Sequence, residues 1–107
     1  MDESGNLAKT AQLLKVLGNE SRLRLLLLLS ERPMTVGALA ETTGMSQPLV
    51  SQHLRTLRHT GVVVATRDGK EISYALADAH VSHVIADALV HAQEPAAADG
   101  AADRCER

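Results

Sequence analysis

Apolar residues follow a helical period along the first part of the chain and switch to an alternating one after Gly61. Leu7, Ala11, Leu14 and Leu17 define a helix over residues 6–17 with one apolar face. Gly18 stops it, and Asn19 is placed to cap a second helix over 20–30. That helix carries Leu23 and the run from Leu25 to Leu29, apolar nearly all round, as expected inside a core. Pro33 follows its end. Thr35 can cap a third helix over 36–43, with Leu39 and Ala40 facing inward and Gly44 as its stop. Ser46 opens a fourth, from Gln47 to about Thr60, with Pro48 in the first turn, where a missing N–H costs nothing. Leu49, Val50, Leu54 and Leu57 form its apolar stripe, and Gly61 closes it.

Val62 to Arg67 then reads as a strand, Asp68-Gly69 as a two-residue hairpin turn, and Glu71 to Ala77 as the returning strand. Ile72, Tyr74 and Leu76 share one face of it. Asp78 caps a last helix over 79–93, ended by Pro95. Residues 96–107 are Ala-rich, charged and aperiodic, and are expected to form a disordered tail. The expected fold is mainly α with a small β-hairpin: a winged helix-turn-helix domain over 1–95. Composition adds a second chain. With 107 residues, no Phe or Trp and Tyr74 as the single aromatic, the core is aliphatic. A domain of this size buries only about two-thirds of its unfolded surface. A homodimer through the terminal helices would supply further burial.

Net charge is −2, unpromising for a nucleic-acid binder, but its distribution changes the picture. Residues 46–70 carry Arg55, Arg58, Arg67 and Lys70 against Asp68 alone, whereas the last third is acidic. The fourth helix is the second helix of the helix-turn-helix, whose N-terminal residues read base edges in the major groove. Those residues are Ser46, Gln47, Pro48, Ser51, Gln52 and Arg55. Gln pairs with adenine, Arg with guanine or phosphate, and Ser with either. Arg67 and Lys70 flank the hairpin turn, within reach of a neighbouring phosphate or minor groove. His53 and His59 fit solvent or phosphate contacts better than metal ligation, having no nearby partners to complete a site. A helix-turn-helix can also serve as a packing unit alone. The Ser/Gln-rich face on a Leu-lined helix argues for double-stranded operator DNA instead.

The last helix holds Asp78, His80, His91 and Glu94, two imidazoles and two carboxylates. Zinc commonly takes four N, O or S ligands in a tetrahedron. His80 and His91 lie on one helix face but about 16 Å apart along the axis, too far for one ion. In two antiparallel copies crossing on a two-fold axis, the residue numbers of facing positions add to a constant. The pairs His80/His91 and Asp78/Glu94 share that constant to within one residue. One register therefore brings Asp78 and His80 of one chain to the partner's His91 and the partner's Glu94, twice per dimer. Its centre falls near Ile85 and Ala86, and Val81, Val84, Ile85, Ala88 and Leu89 offer apolar surface to bury. The competing reading is an exposed dimerisation helix with local pairs, His83 with Asp87 or Asp87 with His91. The agreement of two pairs in one register favours metal.

No apolar run approaches the roughly 18 residues of a membrane span. The N-terminus has no basic region followed by an apolar stretch, so no signal peptide is expected and the cytoplasm is the expected compartment. Lone Cys105 excludes an intrachain disulfide and a thiolate cluster within one chain. No nucleophile stands at a spacing that suggests a base, so an enzyme is not expected.

The sequence resembles the ArsR/SmtB family of bacterial metal-sensing winged-helix repressors over roughly residues 7–94. The resemblance rests on Asn19-Glu20-Ser21-Arg22-Leu23-Arg24, on Ser46-Gln47-Pro48-Leu49-Val50-Ser51-Gln52-His53-Leu54 with Leu57 and Gly61, and on Arg67-Asp68-Gly69-Lys70 with Tyr74. Asp78, His80, His91 and Glu94 match the spacing of the family's zinc site on the C-terminal helix. The resemblance implies an apo dimer bound to operator DNA and released by metal. His53, read as a phosphate contact, joins the expected DNA-binding residues. Members sensing thiophilic ions usually carry a Cys-x-Cys-type motif before the recognition helix. The matching stretch here, Thr35-Val36-Gly37-Ala38-Leu39, has no cysteine. Imidazole and carboxylate suit zinc, with cobalt or nickel as alternatives if His83 enlarges the site. A DNA-binding regulator sensing a non-metal signal, or a dimeric interaction module without a ligand, are the other readings.

Overall fold

The computed structural model describes residues 3–95, so the tail expected over 96–107 lies outside it. The elements run α1 (Glu3–Leu17), α2 (Glu20–Leu29), β1 (Met34–Thr35), α3 (Val36–Thr43), α4 (Gln47–His59), β2 (Val63–Asp68), β3 (Glu71–Leu76) and α5 (Ala79–Gln93). The expected caps are made. Asn19 Oδ1 accepts the Arg22 N–H at 3.0 Å, and Arg22 Nε donates to the Val16 carbonyl at 2.8 Å, pinning the α1–α2 corner. Thr35 Oγ1 accepts from Ala38 and Ser46 Oγ from Leu49, each satisfying a helix-terminal N–H. No described helix is long and apolar enough to cross a membrane.

The core is wholly aliphatic. Leu25, Leu26 and Leu29 of α2 meet Leu39 and Ala40 of α3 and Val50, Leu54 and Leu57 of α4, with Val16, Leu17, Met34, Val62, Val63, Val81 and Ile85 completing it. No buried polar residue interrupts it among the described residues. Burial without polar groups needs no internal hydrogen-bond partners, which suits a core this small.

Four details differ from the sequence reading. The hairpin gains a third strand: Met34 pairs with Tyr74 and Thr35 with Ser73, giving the order β1-β3-β2. Two residues carry no period, so β1 was illegible. The hairpin turn lies one residue later, because Asp68 still pairs with Glu71, leaving Gly69 and Lys70 as the loop. Gly69, at φ 68°, supplies the left-handed position that side chains resist. Of the apolar face of α1, Leu17 enters the core beside Val16, while Leu7 is 64% and Leu14 53% exposed. Conversely Val81 and Ile85, expected at a dimer surface, pack into the protomer's own core, while Val84 and Leu89 stay exposed. Leu49 of α4 is also exposed, at 39%.

Leu54 is the central anchor of α4. Leu54→Ala should lower stability by about 2–5 kcal/mol, the usual cost of a buried Leu cavity. Urea unfolding at fixed protein concentration measures it, and a change below ~1 kcal/mol would contradict this packing. His53, partly buried on the flank of α4, gives a pH signature. Burial, then the Arg22 charge, holds its imidazole below its ordinary pKa near 6.5. The unfolded imidazole therefore protonates first as pH falls. Its contribution is complete above about pH 6.5 and is lost as pH drops from there toward the lowered folded value. His53→Gln should flatten that part of the acid decline in unfolding midpoint; parallel profiles for the two proteins would refute it.

Candidate functional site

The helix-turn-helix is built by three local choices. Gly44 ends α3 at φ 81°, with its N–H on the Ala40 carbonyl at 2.8 Å. Ser46 starts α4, and Pro48 sits in its first turn. Val50, Leu54 and Leu57 then turn inward, which forces the polar residues between them outward. Ser46, Gln47, Pro48, Gln52 and Arg55 are exposed and Ser51 is half-buried. His53 stands apart from this set, on the flank that feels the α2 charge of Arg22. The Gln47 amide leans toward α3, 3.8 Å from where a Cβ on Gly37 would stand.

The wing follows at once. Arg67 Nη1 donates to the Gly69 carbonyl at 3.4 Å, so its guanidinium folds over the tip, and Lys70 is in the loop itself. Between wing and helix, Ser51 and Arg55 open into a cleft of about 490 Å³ whose other walls are Arg58, His59 and Tyr74. Sequence reasoning had not joined Arg58 or Tyr74 to this surface. The seven-residue step from Ser51 to Arg58, two helical turns, was the available signal.

The candidate metal ligands divide into two exposed pairs at opposite ends of α5. At its N-terminus Asp78 Oδ1 accepts from the N–H groups of His80 (3.0 Å) and Val81 (3.3 Å). This holds the carboxylate beside His80, whose imidazole has no hydrogen-bond partner among the described residues. At the other end His91 Nδ1 lies 3.9 Å from Glu94 Oε1. His83 is exposed one turn from His80. Among the described residues of one chain, no three His, Cys, Asp or Glu side chains gather into an ion-binding group. The donor set of two imidazoles and two carboxylates fits zinc, provided two pairs from different chains meet.

Asp78 and His80 stand on the rim of a groove of about 800 Å³ between α1 and α5. Leu14, Leu17 and Val84 make it apolar. His59, Thr60 and Gly61, at the C-terminal end of α4, line the same groove.

Known proteins agree with this architecture. A family model described as "Bacterial regulatory protein, arsR family" matches residues 19–64. The HTH-type transcriptional repressor SmtB of Mycobacterium tuberculosis is 42% identical over 85 residues, covering 79% of this chain and 63% of the relative, so the chain spans under two-thirds of that protein. The HTH-type transcriptional regulator NmtR of the same organism is 42% identical over 86 residues, covering 80% of this chain and 72% of NmtR. A solved structure described as the homodimeric winged helix-turn-helix DNA-binding domain of Mb0332 from Mycobacterium bovis aligns with a TM-score of 0.81 at 34% identity, covering 86% of this chain and 85% of that one. These relatives are regulators and not enzymes, and the Mb0332 domain shares the described fold. The chain belongs to the arsR family of bacterial regulatory proteins.

Proposed function

We propose that this chain is a metal-responsive transcriptional repressor that binds operator DNA as an apo homodimer and releases it when zinc is bound between the two C-terminal helices. The observation that carries the reading is the division of Asp78/His80 and His91/Glu94 into two exposed pairs at the ends of one helix. The occupant of the α1–α5 groove is a second copy, which would cover Leu14 and Val84 and bring the partner's His91 and the partner's Glu94 to Asp78 and His80. When bound, zinc supplies a cross-link of imidazole and carboxylate bonds between the α5 helices. The domain spans 1–95.

Ser46, Gln47, Pro48, Ser51, Gln52 and Arg55 face DNA in this reading, with Arg67 and Lys70 on the backbone, while His53 stays on the α2 flank of the helix. Two recognition helices must sit about 34 Å apart to enter successive major grooves. His59, Thr60 and Gly61 share the groove with Asp78 and His80, so the position of the partner's α5 is felt at the end of α4. Fixing α5 through its ligands thereby fixes α4. By linkage, DNA weakens metal binding by the factor by which metal weakens DNA binding.

At fixed salt, zinc should weaken operator binding at least tenfold, about 1.4 kcal/mol of coupling. Fluorescence anisotropy with zinc, cobalt and nickel measures it. Unchanged affinity with zinc rules zinc out as inducer, and a larger response to cobalt or nickel that is lost in His83→Ala assigns His83 as a further ligand. A mixed dimer of His80→Ala and His91→Ala chains should keep one intact site and one lacking both imidazoles. Two equally damaged sites in a metal titration would place the ligands within one chain.

A further inference from the structure

We propose that the cleft between α4 and β3 is a phosphate subsite, in which Arg55 and Arg58 hold one backbone phosphodiester of bound duplex DNA. The inference rests on the DNA-binding reading above and adds residues that reading does not use. Every residue lining the cleft, Ser51, Arg55, Arg58, His59 and Tyr74, can donate a hydrogen bond, and none is acidic. Neither guanidinium has an ion-pair or hydrogen-bond partner among the described residues. Arg24 differs: its guanidinium is paired with Glu20 at 3.3 Å. Two unpaired arginines facing one cleft repel each other, and an anion between them removes the repulsion.

The geometry selects a backbone phosphate over a base. Arg58 lies eleven residues beyond Gln47, about 16 Å along the helix axis. The major groove is about 8.5 Å deep, so a helix that enters by its N-terminus has left the base edges before Arg58. The next anionic groups are the phosphates of the groove wall. Ser51, Arg55 and Arg58 share one stripe, which makes the cleft continuous with the base-reading face. Its far wall is rigid. Tyr74 is on the central strand, paired on one side to Met34 and on the other to Ala65, and it packs against the core. Its hydroxyl has no partner among the described residues and is available to the same phosphate. A guanidinium presents two parallel N–H donors to a phosphate, which a lysine cannot do. A phosphate held on both α4 and the wing strand would set the register of the recognition helix without reading sequence.

The test uses two duplexes, one selected by the metal-free protein from a random library and one unrelated. Arg58→Ala should weaken both by the same factor, about tenfold for one charge-assisted contact. It should also reduce the slope of log affinity against log salt by about one. Arg58→Lys should recover the slope but not the full affinity. In the selected duplex, one neutral methylphosphonate linkage per half-site should weaken the wild-type protein and have no further effect on Arg58→Ala. Equal helicity and melting of the variant would confirm that the fold is intact. Unchanged affinity and slope in Arg58→Ala overturn the subsite, as does a loss confined to the selected duplex, which would mark a base contact. So does strict additivity of the variant with every methylphosphonate position. Inorganic phosphate shifting the Arg58 side-chain resonance, while Arg58→Ala leaves DNA binding unchanged, would assign a free-anion site and overturn the DNA assignment. Wild-type protein that binds neither duplex at low salt overturns the DNA-binding reading and this one together; binding without the Arg58 effect overturns this one alone.

Discussion

Val50, Leu54 and Leu57 fasten one side of α4 to the leucines of α2 and to α3, and the remaining surface of the protein is arranged around that attachment. Three inward residues at helical spacing leave no choice about which residues face out. They direct Ser, Gln and Arg side chains to solvent along a single stripe. They also fix the point where α4 ends, at Thr60 and Gly61, and so where the wing begins. The hydrophobic effect is non-directional, but on a helix it becomes directional through the 3.6-residue period.

The same core explains why the terminal helices are incomplete alone. α1 contributes only Val16 and Leu17 to it and α5 only Val81 and Ile85. Leu13 packs partly against it, while Leu7, Leu14, Val84, Leu89 and Val90 remain exposed. An aliphatic core with no large aromatic side chain cannot extend to cover them. The groove between the two helices thus joins three properties in one place: apolar surface, the Asp78/His80 pair and the end of α4. In such an arrangement a ligand that acts on dimer geometry acts on the DNA-reading helix without any long path through the interior.

Much of this was legible in the sequence, for identifiable reasons. Helix starts were readable because Asn19, Thr35, Ser46 and Asp78 each cap through the side chain, a local interaction independent of tertiary packing. The inward faces of α3 and α4 followed from period, except for Leu49 at the start of α4, which is exposed. What escaped depended on non-local facts. β1 exists only because Met34 and Thr35 find the free edge of β3. The hairpin loop moved by one residue because pairing persists through Asp68 and Glu71. The apolar face of α5 was assigned whole to a dimer surface although Val81 and Ile85 enter the protomer's core, since period identifies a face but not what covers it. The grouping of Arg58 with Tyr74 joins a helix to a strand and has no sequence signal of its own.

Tyr74 is the only Tyr, Phe or Trp in the 107 residues. It stands on the central strand of the sheet and in the wall of the cleft against α4. Ultraviolet absorption and emission from aromatic side chains therefore arise from one place, the joint between wing and recognition helix. Nature has left this protein with a single intrinsic optical probe, seated where the two DNA-facing elements meet and silent about everything else.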